Sequence, residues 1–153
     1  MTRPDGDEGG RPETGGRRRA REAALQMLYQ WEIGRASANE AIVTYWPARD
    51  AEGTVAEEHR EFANRLVRGT IARVGELDEL LAKRAQNWRV ERMAVLDRLI
   101  LRLATFELID EPDTPAKVVI NEAIELARTY SGDEAVGFVN GILDAVRKDL
   151  RRE

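Results

Sequence analysis

Apolar residues recur at helical spacing along most of the chain, and the first such stretch is RRRAREAALQMLYQWEI, Arg17 to Ile33. At about 100° per residue, a stripe of apolar side chains covers one face: Ala20, Ala24, Met27, Leu28 and Trp31. A second stripe lies on another side of the helix: Arg18, Glu22, Leu25 and Tyr29, with Arg19, Gln26 and Gln30 beside it. The pattern predicts a helix that buries one face and presents arginines, amides and a tyrosine to solvent.

Helical spacing continues after a stop signal at Gly34. Ser37 and Glu40 form a capping box, which predicts a short helix from Ala38 to Trp46, ended by Pro47. The stretch 48–57 reads as a loop. A longer helix is predicted from about Glu57 to Asn87, with Gly75 as a candidate break.

The most apolar segment of the chain is MAVLDRLILRLATFELI, residues 93–109. Its apolar residues cover most of the helix circumference, which predicts a central, buried helix. Thr114 as N-cap and Pro115 in the first turn predict the next helix, which Gly132 ends.

The last predicted helix carries its apolar stripe from Ala135 to Val146. Its cap is either Ser131 paired with Glu134, or Asp133. Gly141 lies inside this helix and would cost about 1 kcal/mol relative to alanine, so we expect another helix to approach it closely. No stretch alternates with period two between turn signals. The predicted fold class is therefore all-α.

The N-terminal segment, residues 1–16, differs in composition from the rest. It holds five of the twelve glycines, two of the five prolines and no apolar residue beyond Met1. Such a segment cannot bury enough surface to offset its ordering entropy. We therefore expect a disordered acidic tail over residues 1–16 and a single helical domain over residues 17–150.

Charge is unevenly distributed. The net charge is −4, yet residues 17–21 carry +4, which leaves −8 for the remainder. The chain is thus no general polycation, and nucleic acid would bind at a local patch. At the start of a helix each cation opposes the dipole by about 0.3–1 kcal/mol. A bound anion would offset this cost, and a solvated basic helix start is the alternative.

The sequence lacks the residues and motifs that several kinds of metal site and catalytic site require. The chain has no cysteine and one histidine, His59, which argues against thiolate or multi-histidine metal sites and a histidine-based triad. Glycine-rich phosphate loops and nucleophile elbows are missing as well. We expect no catalytic residue, no metal and no cofactor. No apolar run reaches about 18 residues and the N-terminus is polar, so we expect a cytoplasmic protein without membrane contact.

Four blocks, in order, resemble the NusB family of bacterial transcription antitermination factors: RRRAREAALQMLYQWE, LDRLILRLATFEL, VVINEAIELARTYS and FVNGILD. The resemblance covers the chain from Arg17 to Leu150. It implies two small helical bundles packed at an angle, and a non-enzymatic RNA-binding protein. It also implies pairing with NusE, a small-subunit ribosomal protein, and joint binding of single-stranded boxA RNA in ribosomal RNA leaders. The resemblance further implies a larger antitermination complex with other Nus factors and RNA polymerase, and self-association as a homodimer is an alternative that occurs in this family.

The resemblance also implies roles for individual residues. The RNA-binding set is Arg17, Arg18, Arg19, Arg21, Gln26, Phe138 and Asn140. Tyr29 and Glu22 are expected at the partner surface. The sequence departs from the family where relatives often carry a basic residue before the FVNG phenylalanine, because Gly137 stands there.

Two other functions remain open from the sequence. One is a helical protein-interaction module that uses the second stripe of the first helix. The other is an RNA-binding domain detached from a ribosomal RNA cytosine methyltransferase, although no nucleotide-binding βαβ pattern follows in the chain.

Overall fold

The computed structural model describes residues 5–49, 53, 55–85 and 89–153, with side chains from residue 15 onward. Over these residues the chain is all-α without a strand, which confirms the predicted class. The helices are α1 (Asp5–Glu32), α2 (Ala38–Arg49), α3 (Glu57–Ala72), α4 (Val74–Ala85), α5 (Val95–Asp110), α6 (Ala116–Tyr130) and α7 (Glu134–Asp149), with a 3-10 turn at Val90–Arg92. Within the described ranges, no helix combines the length and apolar character needed to cross a membrane.

The chain divides into two compact units, Met1–Val67 and Arg68–Glu153. The first unit holds α1, α2 and most of α3. The predicted apolar face of α1 is buried at Ala20, Ala24, Met27 and Leu28, and half-buried at Trp31.

The prediction that Leu25 lies on the solvent-facing stripe of α1 is wrong, because this side chain is only 1% exposed. Side chains of two other helices contact α1. Tyr45 of α2 hydrogen-bonds to Gln26 of α1, and Phe62 of α3 lies against Arg17. The buried arc of α1 extends beyond the single stripe that the sequence pattern indicated.

Helix α1 begins at Asp5 rather than at Arg17. The arginine cluster therefore lies in the interior of a 28-residue helix, where the dipole cost predicted for a first turn does not apply, since that effect falls off within one turn. The extension contains five glycines, each about 1 kcal/mol less favourable than alanine in a helix: Gly6, Gly9, Gly10, Gly15 and Gly16. Residues 1–4 of the predicted tail lie outside the described residues, and disorder of residues 1–16 in solution stays a prediction.

The capping box of α2 is confirmed. The backbone N–H of Glu40 donates to Ser37 Oγ at 3.0 Å, and the N–H of Ser37 donates to Glu40 Oε1 at 2.9 Å. The predicted end at Trp46 is wrong, because α2 continues through Pro47 to Arg49. A proline near the last turn costs one backbone hydrogen bond but keeps a helical φ.

The break in the predicted long helix falls at Arg73, two residues before Gly75. The Arg73 N–H still bonds the carbonyl of Gly69 at 3.1 Å, and its own carbonyl accepts from Leu77 N–H at 2.9 Å. The Arg73 guanidinium donates two hydrogen bonds to the Glu76 carboxylate. Gly75 itself lies in the first turn of α4, where it is tolerated without ending a helix.

Helix α5 is the centre of the second unit, as predicted. Its residues from Arg98 to Leu108 are all buried, and it packs against α4, α6 and α7. Two arginines on this helix have defined partners. Arg98 donates to the Met93 carbonyl at 3.1 Å, and Arg102 makes two 2.8 Å bonds to Asp78 of α4.

The predicted N-cap of α6 is wrong, whereas Asp133, one of the two predicted caps of α7, is confirmed at its position. Pro115 rather than Thr114 occupies the N-cap position of α6. Asp133 occupies that of α7 without a side-chain cap bond. The Ser131 N–H still bonds Ala127 of α6, and its hydroxyl donates to Asp97 of α5. Ser131 thus closes α6 and does not cap α7.

Gly141 also corrects an expectation. A Cβ built at this position meets no atom within 4 Å, and the residue is exposed on α7. No neighbouring helix in the described structure therefore requires glycine there. A glycine that does allow a close approach by another helix is Gly69 of α3. A Cβ at Gly69 would lie 2.0 Å from Cζ of Phe106, a ring only 3% exposed in α5.

An ion pair joins α4 to α7. Arg84 donates from Nε to Asp149 Oδ2 at 2.7 Å, and a second bond joins Nη2 to Oδ1. These bonds hold the pKa of Asp149 below its ordinary value. The pair therefore stabilises the fold above the ordinary carboxyl pKa, and this contribution is lost as the pH falls through the lowered value.

We expect Gly69→Ala to lower the free energy of unfolding by about 1–3 kcal/mol, because the added methyl overpacks the buried Phe106 ring. Urea denaturation followed by circular dichroism measures the change. Gly75→Ala is the matched control, since a Cβ there meets nothing within 4 Å, and we expect it to be neutral or stabilising. Equal changes in the free energy of unfolding at the two positions would show that the Phe106 ring does not restrict the side chain at position 69.

Candidate nucleic-acid interface

The four arginines of α1 divide into two pairs. Arg18 and Arg19 are exposed. The Arg17 guanidinium lies 4.1 Å from the centroid of the Phe62 ring, and that of Arg21 lies 5.4 Å from the same centroid. Arg21 is only 4% exposed. The sequence pattern predicts the same role for all four arginines. In the structure, Arg18 and Arg19 lie on the surface, whereas Arg17 and Arg21 pack against Phe62 of α3.

A cavity of about 350 Å³ opens beside the exposed arginines of α1. Three helices of the first unit line it. The described residues that line it are Arg19, Glu22, Ala23 and Gln26 of α1, Tyr45, Trp46 and Arg49 of α2, Arg60 of α3, and Gly53 and Val55 between α2 and α3. The predicted site residues Arg19, Glu22 and Gln26 are therefore brought together at one concave surface.

An aromatic pair forms part of this cavity. The rings of Tyr45 and Trp46 are perpendicular, with centroids 4.9 Å apart. The Tyr45 hydroxyl donates to Gln26 Oε1 at 2.7 Å, and Trp46 Nε1 donates to Asn64 Oδ1 at 3.0 Å. Hydrogen bonds at both rings fix this pair between α1 and α3.

Each ring of the pair carries a guanidinium. Arg49 lies 4.8 Å from the Tyr45 centroid, and Arg60 lies 5.0 Å from the Trp46 centroid. The Arg60 Nε also donates to the Val55 carbonyl at 3.0 Å. Stacking of this kind attracts the cation to the ring face and restricts its side chain.

The end of α1 and the residue that follows it present apolar surface. Tyr29 is 40% exposed and Ile33 is 48% exposed. Tyr29 was predicted at a partner surface, and an exposed tyrosine beside an aliphatic residue has the composition typical of protein interfaces.

Phe138 and Asn140 belong to the second unit, on α7. Phe138 is half-buried and Asn140 is exposed. The phenylalanine lines a pocket of about 320 Å³ together with Met93, Ala94, Asp97, Ser131, Glu134 and Ala135. Gly137 and Gly141 flank them without side chains, and a Cβ at either meets nothing within 4 Å. The α7 surface next to Asn140 is therefore sterically open.

A sequence profile described as the NusB family matches residues 18–148. The chain belongs to the NusB family. The transcription antitermination protein NusB of Koribacter versatilis is 46% identical over 92% of this chain and 94% of its own length. The structure of T. maritima NusB aligns with a TM-score of 0.77 and 36% identity, covering 87% of this chain and 91% of that one.

A crystal structure of antitermination factors NusB and NusE in complex with dsRNA is also similar. It aligns with a TM-score of 0.77 and 25% identity over 88% of this chain and 97% of the matched chain. These findings confirm the family resemblance that the four sequence blocks carry.

In this NusB-family chain, sequence reasoning missed Tyr45, Arg49 and Arg60 at the cavity. The predicted end of α2 at Trp46 left Arg49 in a loop. The i, i+4 spacing of Tyr45 and Arg49 on a longer helix was the available signal. Arg60 offered none, because its position over Trp46 depends on how α3 packs. Among the described residues, no group of three or more acidic or histidine side chains is placed to hold a metal ion.

Proposed function

We propose that this chain is a transcription antitermination factor that binds single-stranded boxA-type RNA together with NusE. In that role it acts without catalysis in the cytoplasm, within the complex that keeps RNA polymerase elongating. The observation that carries the proposal is the exposed pair Arg18 and Arg19, a local cationic surface on a chain of net charge −4. Family membership and the similarity to a NusB–NusE–RNA complex support it.

The proposal gives the arginines of α1 two tasks. Arg18 and Arg19 contact RNA phosphates, which position the strand, while base contacts supply sequence preference. Arg17 and Arg21 act through Phe62: their guanidiniums over its ring hold α3 against α1 and keep the exposed pair in place. Gln26 lies at the rim of the same surface, hydrogen-bonded to Tyr45.

The NusE surface in this proposal is the exposed patch at Tyr29, with Glu22 about two turns earlier on α1. Tyrosine contributes a large contact area with a polar end, and such residues dominate the energy of protein interfaces. A second copy of the chain is the competing occupant of this patch. A pull-down of NusE from nuclease-treated lysate separates direct pairing from association bridged by RNA.

The double variant Arg18→Glu, Arg19→Glu tests the RNA surface. Charge-assisted hydrogen bonds contribute about 1.5–3 kcal/mol each, so we expect affinity for a boxA-containing RNA to fall on the order of a hundredfold or more. Fluorescence anisotropy measures the binding, and circular dichroism should show unchanged helicity because both side chains are exposed.

The matched control is Lys83→Glu, Lys117→Glu, which changes the net charge equally at exposed positions of α4 and α6. We expect this control to bind RNA nearly as well as the native chain. Equal loss in both variants would indicate a general charge effect. Unchanged affinity in the α1 variant would overturn the assignment of the RNA surface.

Phe138 and Asn140 are proposed as a second RNA contact, with the ring stacking on an unpaired base. Base stacking on aromatic residues contributes about 1–3 kcal/mol, so we expect Phe138→Leu to weaken RNA binding by about tenfold. Phe138→Tyr keeps a ring and should bind within about twofold of the native chain. If leucine and tyrosine behave alike, the ring does not stack on RNA.

A further inference from the structure

The ring of His59 lies directly against the backbone of α1. A Cβ built at Gly16 would lie 2.1 Å from Cε1 of His59 and 2.5 Å from each ring nitrogen. The His59 side chain is in the first turn of α3 and is only 17% exposed. The ring therefore occupies the space that a side chain at position 16 would fill, and glycine allows this close approach.

The contact involves one glycine of an adjacent pair. Gly15 precedes Gly16 in α1, and a Cβ at Gly15 meets nothing within 4 Å. A glycine costs a helix about 1 kcal/mol relative to alanine, because its backbone has more conformational freedom to lose. The pair is thus a point of low helix stability directly before the arginines, and the His59 ring covers its backbone on one side.

A second contact joins α3 to the next residue of α1. The Arg17 guanidinium lies 4.1 Å from the centroid of Phe62, a ring that is 2% exposed. His59 and Phe62 are three residues apart and therefore lie on the same face of α3. One face of α3 thus contacts two consecutive residues of α1, Gly16 and Arg17.

These two contacts immediately precede the exposed pair Arg18 and Arg19. A binding surface that is already ordered loses less conformational entropy when it takes up its ligand. If the helix at Gly15 and Gly16 had to become ordered during binding, the cost of ordering those residues would be subtracted from the affinity.

We propose that the His59–Gly16 contact positions the arginines that bind RNA. His59 is a positioning residue in this scheme: it acts through the α1 backbone, which it holds against α3, and it does not touch RNA. The inference rests on the proposed function, because it assigns a further residue to the same RNA surface.

The first test is Gly16→Ala, which displaces the His59 ring with a methyl group. We expect the affinity for a boxA-containing single-stranded RNA to fall by about threefold to tenfold, because the arginine pair is then ordered only on binding. Gly15→Ala is the matched control. It makes the same change one residue earlier, where the methyl group meets no atom, and should bind within about twofold of the native chain.

A double-mutant cycle with His59→Ala tests whether the effect passes through the ring. His59→Ala removes the contact without a clash and should weaken RNA binding by about threefold or more. In that background Gly16→Ala should weaken binding no further, since the methyl group takes the space that the ring has left. Circular dichroism measures the helicity and thermal unfolding of each variant, and His59→Ala carries the test if Gly16→Ala does not fold.

The salt dependence of RNA binding separates positioning from a loss of stability. A variant that is only less stable binds more weakly by the same factor at every salt concentration. A variant with misplaced arginines neutralises fewer phosphates, so the slope of the logarithm of the binding constant against that of salt becomes shallower by about 0.7 for each phosphate lost. We expect the shallower slope for Gly16→Ala and His59→Ala, and the native slope for Gly15→Ala.

The outcomes distinguish this inference from the proposed function. Native affinity and slope in Gly16→Ala and His59→Ala overturn the positioning role and leave the RNA surface standing. Equal losses from Gly16→Ala with and without the His59 ring also overturn it. Failure of the native chain to bind RNA overturns the proposed function and the positioning role together.

Discussion

Arginine side chains stacked on aromatic rings organise the first unit of this protein. Phe62 lies beneath the guanidiniums of Arg17 and Arg21, while Tyr45 and Trp46 hold those of Arg49 and Arg60. Cations that lie near one another destabilise a fold unless each has a compensating partner. The ring faces supply that partner at about 0.5–2 kcal/mol each. The same contacts join the three helices, since Arg17 of α1 lies over Phe62 of α3 and Arg60 of α3 lies over Trp46 of α2.

The proposed roles of the α1 arginines, an exposed pair and a pair packed on Phe62, account for nucleic-acid binding by an acidic protein. Bulk positive charge would attract any polyanion, but a chain of net charge −4 repels RNA except where cations are clustered. The exposed pair on α1 and the cavity beside it belong to one unit. Phe138 and Asn140 belong to α7 of the other unit. Phosphate contacts position a strand, whereas aromatic and amide side chains discriminate bases.

Features determined by local chemistry were predicted well from the sequence. The Ser37–Glu40 capping box and the buried α5 follow from residues within one or two helical turns of each other. Features that depend on a neighbour were not. The buried arc of α1 is wider than its stripe and includes Leu25 and Arg21, and Arg21 lies against Phe62 of α3. The Tyr45–Arg60 side of the cavity requires α2 and α3 to meet, and no spacing along the chain encodes that contact. At Gly141 the sequence predicts a neighbouring helix that the structure does not have. A glycine inside a helix favours close approach of another helix, but a Cβ at this position meets no atom within 4 Å.

We propose that a local arginine surface on this acidic chain binds RNA through its phosphates. The dependence of RNA affinity on salt concentration reports how many phosphates the chain neutralises. For single-stranded nucleic acid, the logarithm of the binding constant falls by about 0.7 per neutralised phosphate for each tenfold rise in salt. Contacts from at least Arg18 and Arg19 predict a slope of about −1.4 or steeper on this scale. A slope near zero, or RNA binding that strengthens with salt, would contradict the account.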